Sequence, residues 1–341
     1  MKSKSVAHLC IFIAIISFSS FMTYAMENEE TVEYETGFFY TVQKGDTLWD
    51  LSILFSNTPW QWPELWHNNS QITNPHLIYP GQRIRLFHKK WVERITIKEA
   101  DAEVAKETDR KKESPYFIYS SIDSIGFVKK EPVRPSGSIF KARDNQEMIS
   151  KGDIVYIKQM GNNHFSVGGR YITYRTLKSP KKEKKKESVG TQYYLTGIME
   201  IIKVEPRFSK GSIIRSFRTI AINDLLMPYK PKSPKIPVIN GIKGMDGQII
   251  FSEEHASIIG DNTVAFIDRG EHDGVKPGQL YDIYYQDTKE IDPVAKENIL
   301  LDPVDFGELL VLHTEQTTST VLITRSNKSI YPGAKIRSLR P

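Results

Sequence analysis

Displaced by 110 residues, the chain lies on itself: Gly197–Met227 aligns with Gly307–Arg337 without a gap. Seven of those 31 positions are identical (Gly197/Gly307, Glu205/Glu315, Ser209/Ser319, Ile213/Ile323, Arg215/Arg325, Ser216/Ser326 and Ile220/Ile330), where composition alone gives about two. Whatever fold one copy adopts, the other must adopt as well. Two copies are too few for a solenoid, so each has to close its own core, as a small barrel or sandwich. Upstream, the turn and strand GDIVYI at Gly152–Ile157 reads as the counterpart of GQLYDI at Gly278–Ile283. The repeat therefore divides most of the chain into a first β module over 115–232 and a second over 243–341. The 233–242 link between them is proline-rich. From Pro228 to Pro237 there are four prolines in ten residues, which predicts an extended, fairly stiff connection.

The texture of both modules is that of strands. GDIVYIKQ, YYLTGIMEIIKV, NTVAFID, GQLYDIYY, GELLVLHT and STVLITRS are short β-branched or aromatic runs between Gly, Asn and Asp turns. No stretch of helical period interrupts them. Inside the first module, Lys178–Glu187 carries six lysines and two glutamates. Such a block repels itself and is expected to be a mobile, solvated loop.

The N-terminus begins with Lys2 and Lys4, continues uncharged from Leu9 to Met26 and ends in Thr23-Tyr24-Ala25 ahead of acidic residues. This is the pattern of a secretory signal over 1–25, cleaved after Ala25 where small side chains stand one and three residues before the bond. An uncleaved anchor is the alternative, although Ser17, Ser19, Ser20 and Thr23 weaken the end of the run. An acidic segment over 26–38 follows. The single cysteine, Cys10, lies inside the signal, so an exported chain has no thiol for disulfides, nucleophilic catalysis or thiolate metal ligation. About 315 residues remain, enough for two or three ordinary cores. The net charge of +5 comes from 46 basic against 41 acidic residues, and with export it argues against a nucleic-acid partner.

Before the repeat stands a segment of different character, Tyr40–Leu86. Tyr40 and Val42 suggest a strand, Gly45-Asp46 a turn, and Asp46 or Thr47 the cap of a helix whose Leu48, Leu51 and Phe55 share a face. Pro59 or Pro63 starts a second helix reaching about Asn69. Pro80-Gly81 then turns into a closing strand, Gln82–Leu86. Glycine turns leave backbone amides uncovered, which suits a neutral ligand that needs close backbone hydrogen bonds.

KGDTLWDLS at one end and NPHLIYPGQRIRL at the other resemble the LysM module, a binder of peptidoglycan and chitin, over residues 39–87. The resemblance implies a βααβ unit of α+β class whose two turns lie side by side as the walls of a glycan groove. Gly45, Asp46, Thr47 and Leu48 would line one wall. Ile78, Tyr79, Pro80 and Gly81 would line the other, with Asn74 just upstream. The middle, WQWPELWHNN, holds three tryptophans within seven residues, more than many LysM modules carry. Trp49 and Trp66 are expected in the core, and Trp60 and Trp62 at its rim or against a sugar face.

Residues 88–114 are dense in both charge signs and read as a solvated tether or exposed helix. No catalytic constellation stands out downstream. His67, His76, His88, His164, His255, His272 and His313 are scattered singly, without HxH, HExxH or GxSxG. Glu253-Glu254-His255 and Glu271-His272-Asp273 look like charged turns. Paired carboxylates of the glycosidase type remain open, since they need only proximity in space.

The expected protein is multidomain, a LysM-like module followed by two all-β modules. It is a non-catalytic envelope protein that needs no metal or cofactor. Peptidoglycan glycan strands are its partner, and the β modules serve structure or a further envelope protein. The alternatives are a wall-remodelling hydrolase tethered by the same module, or an assembly factor of an envelope-spanning machine.

Overall fold

In the computed structural model, residues 35–56, 58–86, 114–161, 164–178, 189–292 and 297–338 are described. The expected signal, most of the acidic segment, the charged 88–114 stretch apart from its last residue and nearly all of the Lys178–Glu187 loop lie outside those residues.

The N-terminal unit runs strand β1 (Gly37–Thr41), helix α1 (Leu48–Ser56), a single 3-10 turn (Pro59–Gln61), helix α2 (Trp62–His67) and strand β2 (Arg83–Arg85). Both candidate prolines are used, Pro59 at the start of the 3-10 turn and Pro63 in the first turn of α2. In α1 the buried positions are Leu48, Leu51, Ser52 and Phe55, one face of a 3.6-residue helix. β1 and β2 are antiparallel, with Tyr40 opposite Ile84. The closing strand is shorter than Gln82–Leu86.

This two-stranded sheet does not stop at its own edge. Strand β3 (Tyr116–Ile118) follows the charged stretch and was expected to open the first β module. It pairs instead with β1, placing Phe117 opposite Phe38. Alternation puts Phe117 on the helix-facing side, and Tyr116 and Ile118 on the side of Phe39.

After a short 3-10 turn, strand β4 (Phe127–Lys129) reaches the first barrel, which comprises β5 (Gly137–Ala142), β6 (Ile154–Gln159), β7 (Arg170–Lys178), β8 (Thr191–Val204), β9 (Ser209–Ser216) and β10 (Leu225–Pro228). The proline-rich link then supplies β11 (Lys235–Pro237), which pairs antiparallel with β3, and β12 (Ile239–Asn240), which runs parallel to the second barrel. The link is extended, as its composition suggests, but it is also a strand of the N-terminal sheet. The full order of that sheet is β11-β3-β1-β2. Proline at the edge of a sheet is tolerated because no ladder donor is needed there.

The second barrel contains β13 (Asp246–Ser252), β14 (Val264–Ile267), β15 (Gln279–Tyr285), β18 (Val304–Thr314), β19 (Ser319–Ser326) and β20 (Lys335–Ser338). A hairpin of β16 (Thr288–Asp292) and β17 (Glu297–Leu300) is inserted in it. The cyclic order is β8-β7-β10-β5-β6-β9 in the first barrel and β18-β15-β20-β13-β14-β19 in the second. Each ring is closed by the pairing of its first and last strands, β8 with β9 and β18 with β19. Closure removes the exposed edges that an open sheet would present.

The 110-residue spacing extends well beyond the aligned window. Interior side chains correspond from Ile139/Ile249 and Ile149/Ile259 through Ile157/Ile267 and Met199/Leu309 to Leu226/Ile336. Backbone bonds repeat as well: the Gly152 amide donates to the Ile213 carbonyl and the Asn262 amide to that of Ile323, each at 2.8 Å. This corrects one correspondence. β6 matches β14, so Gly152–Ile157 pairs with residues 262–267, and Gly278 corresponds to Gly168. A glycine followed by alternating residues opens more than one strand here. The true counterpart of Gly152 is concealed because Asn262 holds the same left-handed backbone (φ 59°, against 93° at Gly152).

The barrels meet across a mixed seam. Val128 packs with Ile250, Phe251 and Phe266. Beside them the Thr318 hydroxyl donates to the Val128 carbonyl (2.6 Å) and the Thr320 hydroxyl to that of Gly126 (2.8 Å). One apolar cluster joins Tyr40, Leu51 and Phe55 of the N-terminal unit to Phe117 and Ile236, and on to Leu280, Leu310, Leu312 and Leu322 of the second barrel. Glu35–Pro341 accordingly forms one unit.

Candidate functional site

Between the first turn of α1 and the loop ahead of β2 lies a cleft of about 500 Å³, lined by Thr47, Leu48, Trp49, Trp62, Pro75, His76 and Ile78. Its position follows from the two turns. The Val42 amide donates to the Gln82 carbonyl (2.9 Å) and the Gly81 amide to that of Val42 (2.8 Å). These bonds hold the glycine turn after β1 beside the glycine turn before β2. Gly45 and Gly81 both have positive φ, 93° and 88°, and a side chain at either would meet nothing within 4 Å. Their backbones are open to solvent, the property for which glycine suits such a turn.

The individual residues divide into liners and supports. Thr47, Leu48 and Ile78 face the cleft. Thr47 is also the helix cap: its hydroxyl accepts the Asp50 amide (3.1 Å) and donates to the Asp50 carboxylate (2.7 Å). Asp46 turns inward, where its carboxylate accepts the Tyr40 hydroxyl (2.9 Å) and the Gln43 amide (2.8 Å), so it braces the turn. Asn74 braces the opposite wall by accepting the His76 amide at 3.0 Å. Tyr79, Pro80 and Gly81 are exposed on the return to β2, and none of them lines the cleft itself.

Trp49, Pro75 and His76 were not among the expected liners, whereas Trp62 was expected at the core's rim or against a sugar face and lines the cleft. Trp49 was expected in the core, yet it is 42% exposed. The helical period contains the reason, because the buried stripe of α1 is Leu48, Leu51, Ser52 and Phe55, and position 49 falls outside it. Trp66 does pack on the core, half-buried, with its indole N–H donating to the Ile72 carbonyl (2.6 Å). Trp62 stacks on Trp66, ring centroids 6.5 Å apart, and so joins cleft to core.

The lining of the cleft is partly apolar, with the Thr47 hydroxyl and the His76 imidazole among its polar groups. Among the described residues, no carboxylate, ammonium or guanidinium group lines it. A ligand of hydroxyls, amides and methyl groups matches such a surface better than an ionic one does.

The two acid–histidine groups noted downstream have other work. Glu253 is buried in the seam between the barrels, accepting the Gly126 amide (2.6 Å) and pairing with Arg218 (2.9 Å). Asp273 accepts the Gly270 amide (2.9 Å) in a single 3-10 turn. Among the described residues, no three His, Cys, Asp or Glu side chains are grouped to hold a metal ion. Among them, too, no helix is long and apolar enough to cross a membrane.

An uncharacterised Bacillus subtilis (strain 168) protein, YqbP, is 39% identical over 57 residues, which are 14% of this chain and 26% of that protein. The chain thus covers about a quarter of the relative it resembles. A family match falls on the unit that carries the cleft. Residues 40–87 are a LysM domain, a carbohydrate-binding module of the kind found in proteins associated with the cell wall.

Proposed function

We propose that this protein is an exported, non-catalytic component of the bacterial cell envelope that holds peptidoglycan glycan strands in the LysM cleft. In this reading the signal is removed after Ala25. Thr47, Leu48 and Ile78 contact the sugars, while the open backbones of Gly45 and Gly81, with Tyr79 and Pro80, flank them. Asp46 and Asn74 hold the two walls in place. The observation that carries the reading is a partly apolar lining without carboxylate, ammonium or guanidinium groups among the described residues, set between two joined glycine turns. An N-acetylated aminosugar polymer offers amides, hydroxyls and an acetyl methyl, which need backbone partners and an apolar notch rather than a counter-charge.

A single small cleft binds weakly, and many copies facing one polymer lattice compensate by avidity. The two barrels are the structural part or the face offered to another envelope protein. Their continuous core with the LysM domain favours a glycan held at a defined orientation to them over a loosely tethered one.

Co-sedimentation of the full chain with purified sacculi tests the proposal, followed by muropeptide analysis of the supernatant. Retention with an unchanged muropeptide profile is expected. Placing a charge in the notch by Ile78→Arg should release the protein while leaving its melting temperature near that of the parent, since Ile78 is only half-buried. Soluble fragments would instead establish the wall-hydrolase alternative, and Ile78→Arg binding as well as the parent would overturn the assignment of the cleft.

A further inference from the structure

We infer that Trp49 and Trp60 form an aromatic ledge that extends the cleft and stacks on a further sugar ring of the same glycan strand. Trp49 lines the cleft and is 42% exposed, and Trp60 beside it is 77% exposed. Their ring centroids lie 5.5 Å apart at 73°, so the apolar surface continues from the cleft wall onto an open aromatic face.

The backbone beneath the ledge is braced. Trp60 sits in the Pro59–Gln61 turn, where proline limits the backbone. The Ser52 hydroxyl, fully buried in α1, donates to the Thr58 carbonyl just ahead of that turn (2.9 Å). A tryptophan side chain has only two rotatable bonds, so covering it with a ligand costs little conformational entropy. The occupant is argued from continuity: a polymer lying in the cleft extends past its end, and Trp49 is the wall it must pass. Pyranose rings carry an apolar C–H face that packs on indole as other apolar surfaces do.

This inference rests on the glycan reading of the cleft, and the experiment separates the two. Affinities of the full chain for β-1,4-linked N-acetylglucosamine oligomers of increasing length would be measured by titration calorimetry. The parent should gain affinity with length. Trp60→Ala should bind the shortest oligomers like the parent but lose roughly tenfold on the longest, and Trp60→Phe should recover most of that loss. Because Trp60 is exposed, the alanine variant should melt with the parent. Trp60→Ala matching the parent at every length, or a parent showing no gain with length, would overturn the ledge alone. A parent that binds neither oligomers nor sacculi would overturn the cleft reading and the ledge with it.

Discussion

Phe117 meets Phe38 edge-on, ring centroids 4.6 Å apart, across the pairing of β3 with β1. Through this contact the LysM domain shares its sheet and its core with the rest of the protein. β3 joins the LysM sheet on one side and β11 on the other, and β11 leads directly into β12 on the second barrel. The domain is therefore mounted on the second barrel.

Removing the central ring of that mount should be costly. Phe117 is buried and belongs to the cluster shared by the LysM domain and the second barrel. Phe117→Ala is expected to destabilise the protein by about 3–5 kcal/mol, the range for deleting a core aromatic. In calorimetry the LysM domain should begin to melt separately from the barrels. A single transition within about 1 kcal/mol of the parent would show that the mount does not depend on this ring.

Gly278 offers a cleaner probe of the link. It has φ 92°, and a Cβ there would collide with the Pro237 carbonyl oxygen as β11 passes; its own carbonyl accepts the Ile239 amide at 2.9 Å. Its counterpart in the first barrel, Gly168, has φ 81° with nothing within 4 Å. Gly168→Ala should lower stability by about 1–2 kcal/mol through backbone strain alone. Gly278→Ala should lose clearly more, because the link must move away. Equal melting temperatures for the two variants would refute a close-packed link.

The seam between the barrels contains an ion pair between the partly buried Arg218 and the buried Glu253. Burial raises the Glu253 carboxyl above the ordinary range, while Arg218 and the Gly126 amide oppose the rise. Arg218→Ala would strand that carboxylate and should cost about 3–5 kcal/mol at neutral pH. A raised folded-state value means that the folded state holds its proton longer than the unfolded state. Removing Arg218 raises the folded Glu253 value further, so the penalty should be smallest in acid and grow as pH rises above the parent's already raised Glu253 value. Urea unfolding at several pH values reads this directly, and a pH-independent loss would contradict it.

Asp282 should behave in the same sense on the second barrel. Burial first, then Asp305 and Glu308, push it up to about 7, opposed by Arg337 and Arg325. Its cross-strand neighbours are Glu308 and Arg337. With its folded value above its unfolded one, stability is lost as pH rises from the ordinary carboxylate range through about 7. Asp282→Asn should melt close to the parent at about pH 4 and above it at about pH 8.5. A variant less stable than the parent at the higher pH would show that the arginines outweigh burial.

Local patterns carried much of this architecture. The glycine turns and capped helix of the LysM unit were legible because turn chemistry and helical period act over a few residues. So was the division into two β modules, since a repeated core reappears as a repeated sequence. The exposure of Trp49 was legible in principle, because its neighbours already defined the buried stripe of α1. The correspondence of Gly152 was not, because asparagine can occupy the same backbone region as glycine.

The sequence by itself determined the local elements: two glycine turns around a capped helix, and two copies of one strand pattern at a fixed spacing. The tertiary structure alone decided that β3 and β11, each of three residues, complete the LysM sheet. It also decided that the LysM core runs on into the second barrel, and that Trp49 and Trp60 share one exposed ledge. Short strands carry too few side chains to specify a distant partner. Their pairing is fixed only when the surrounding apolar surfaces, Phe38, Phe117, Ile236 and Leu310 among them, are buried together.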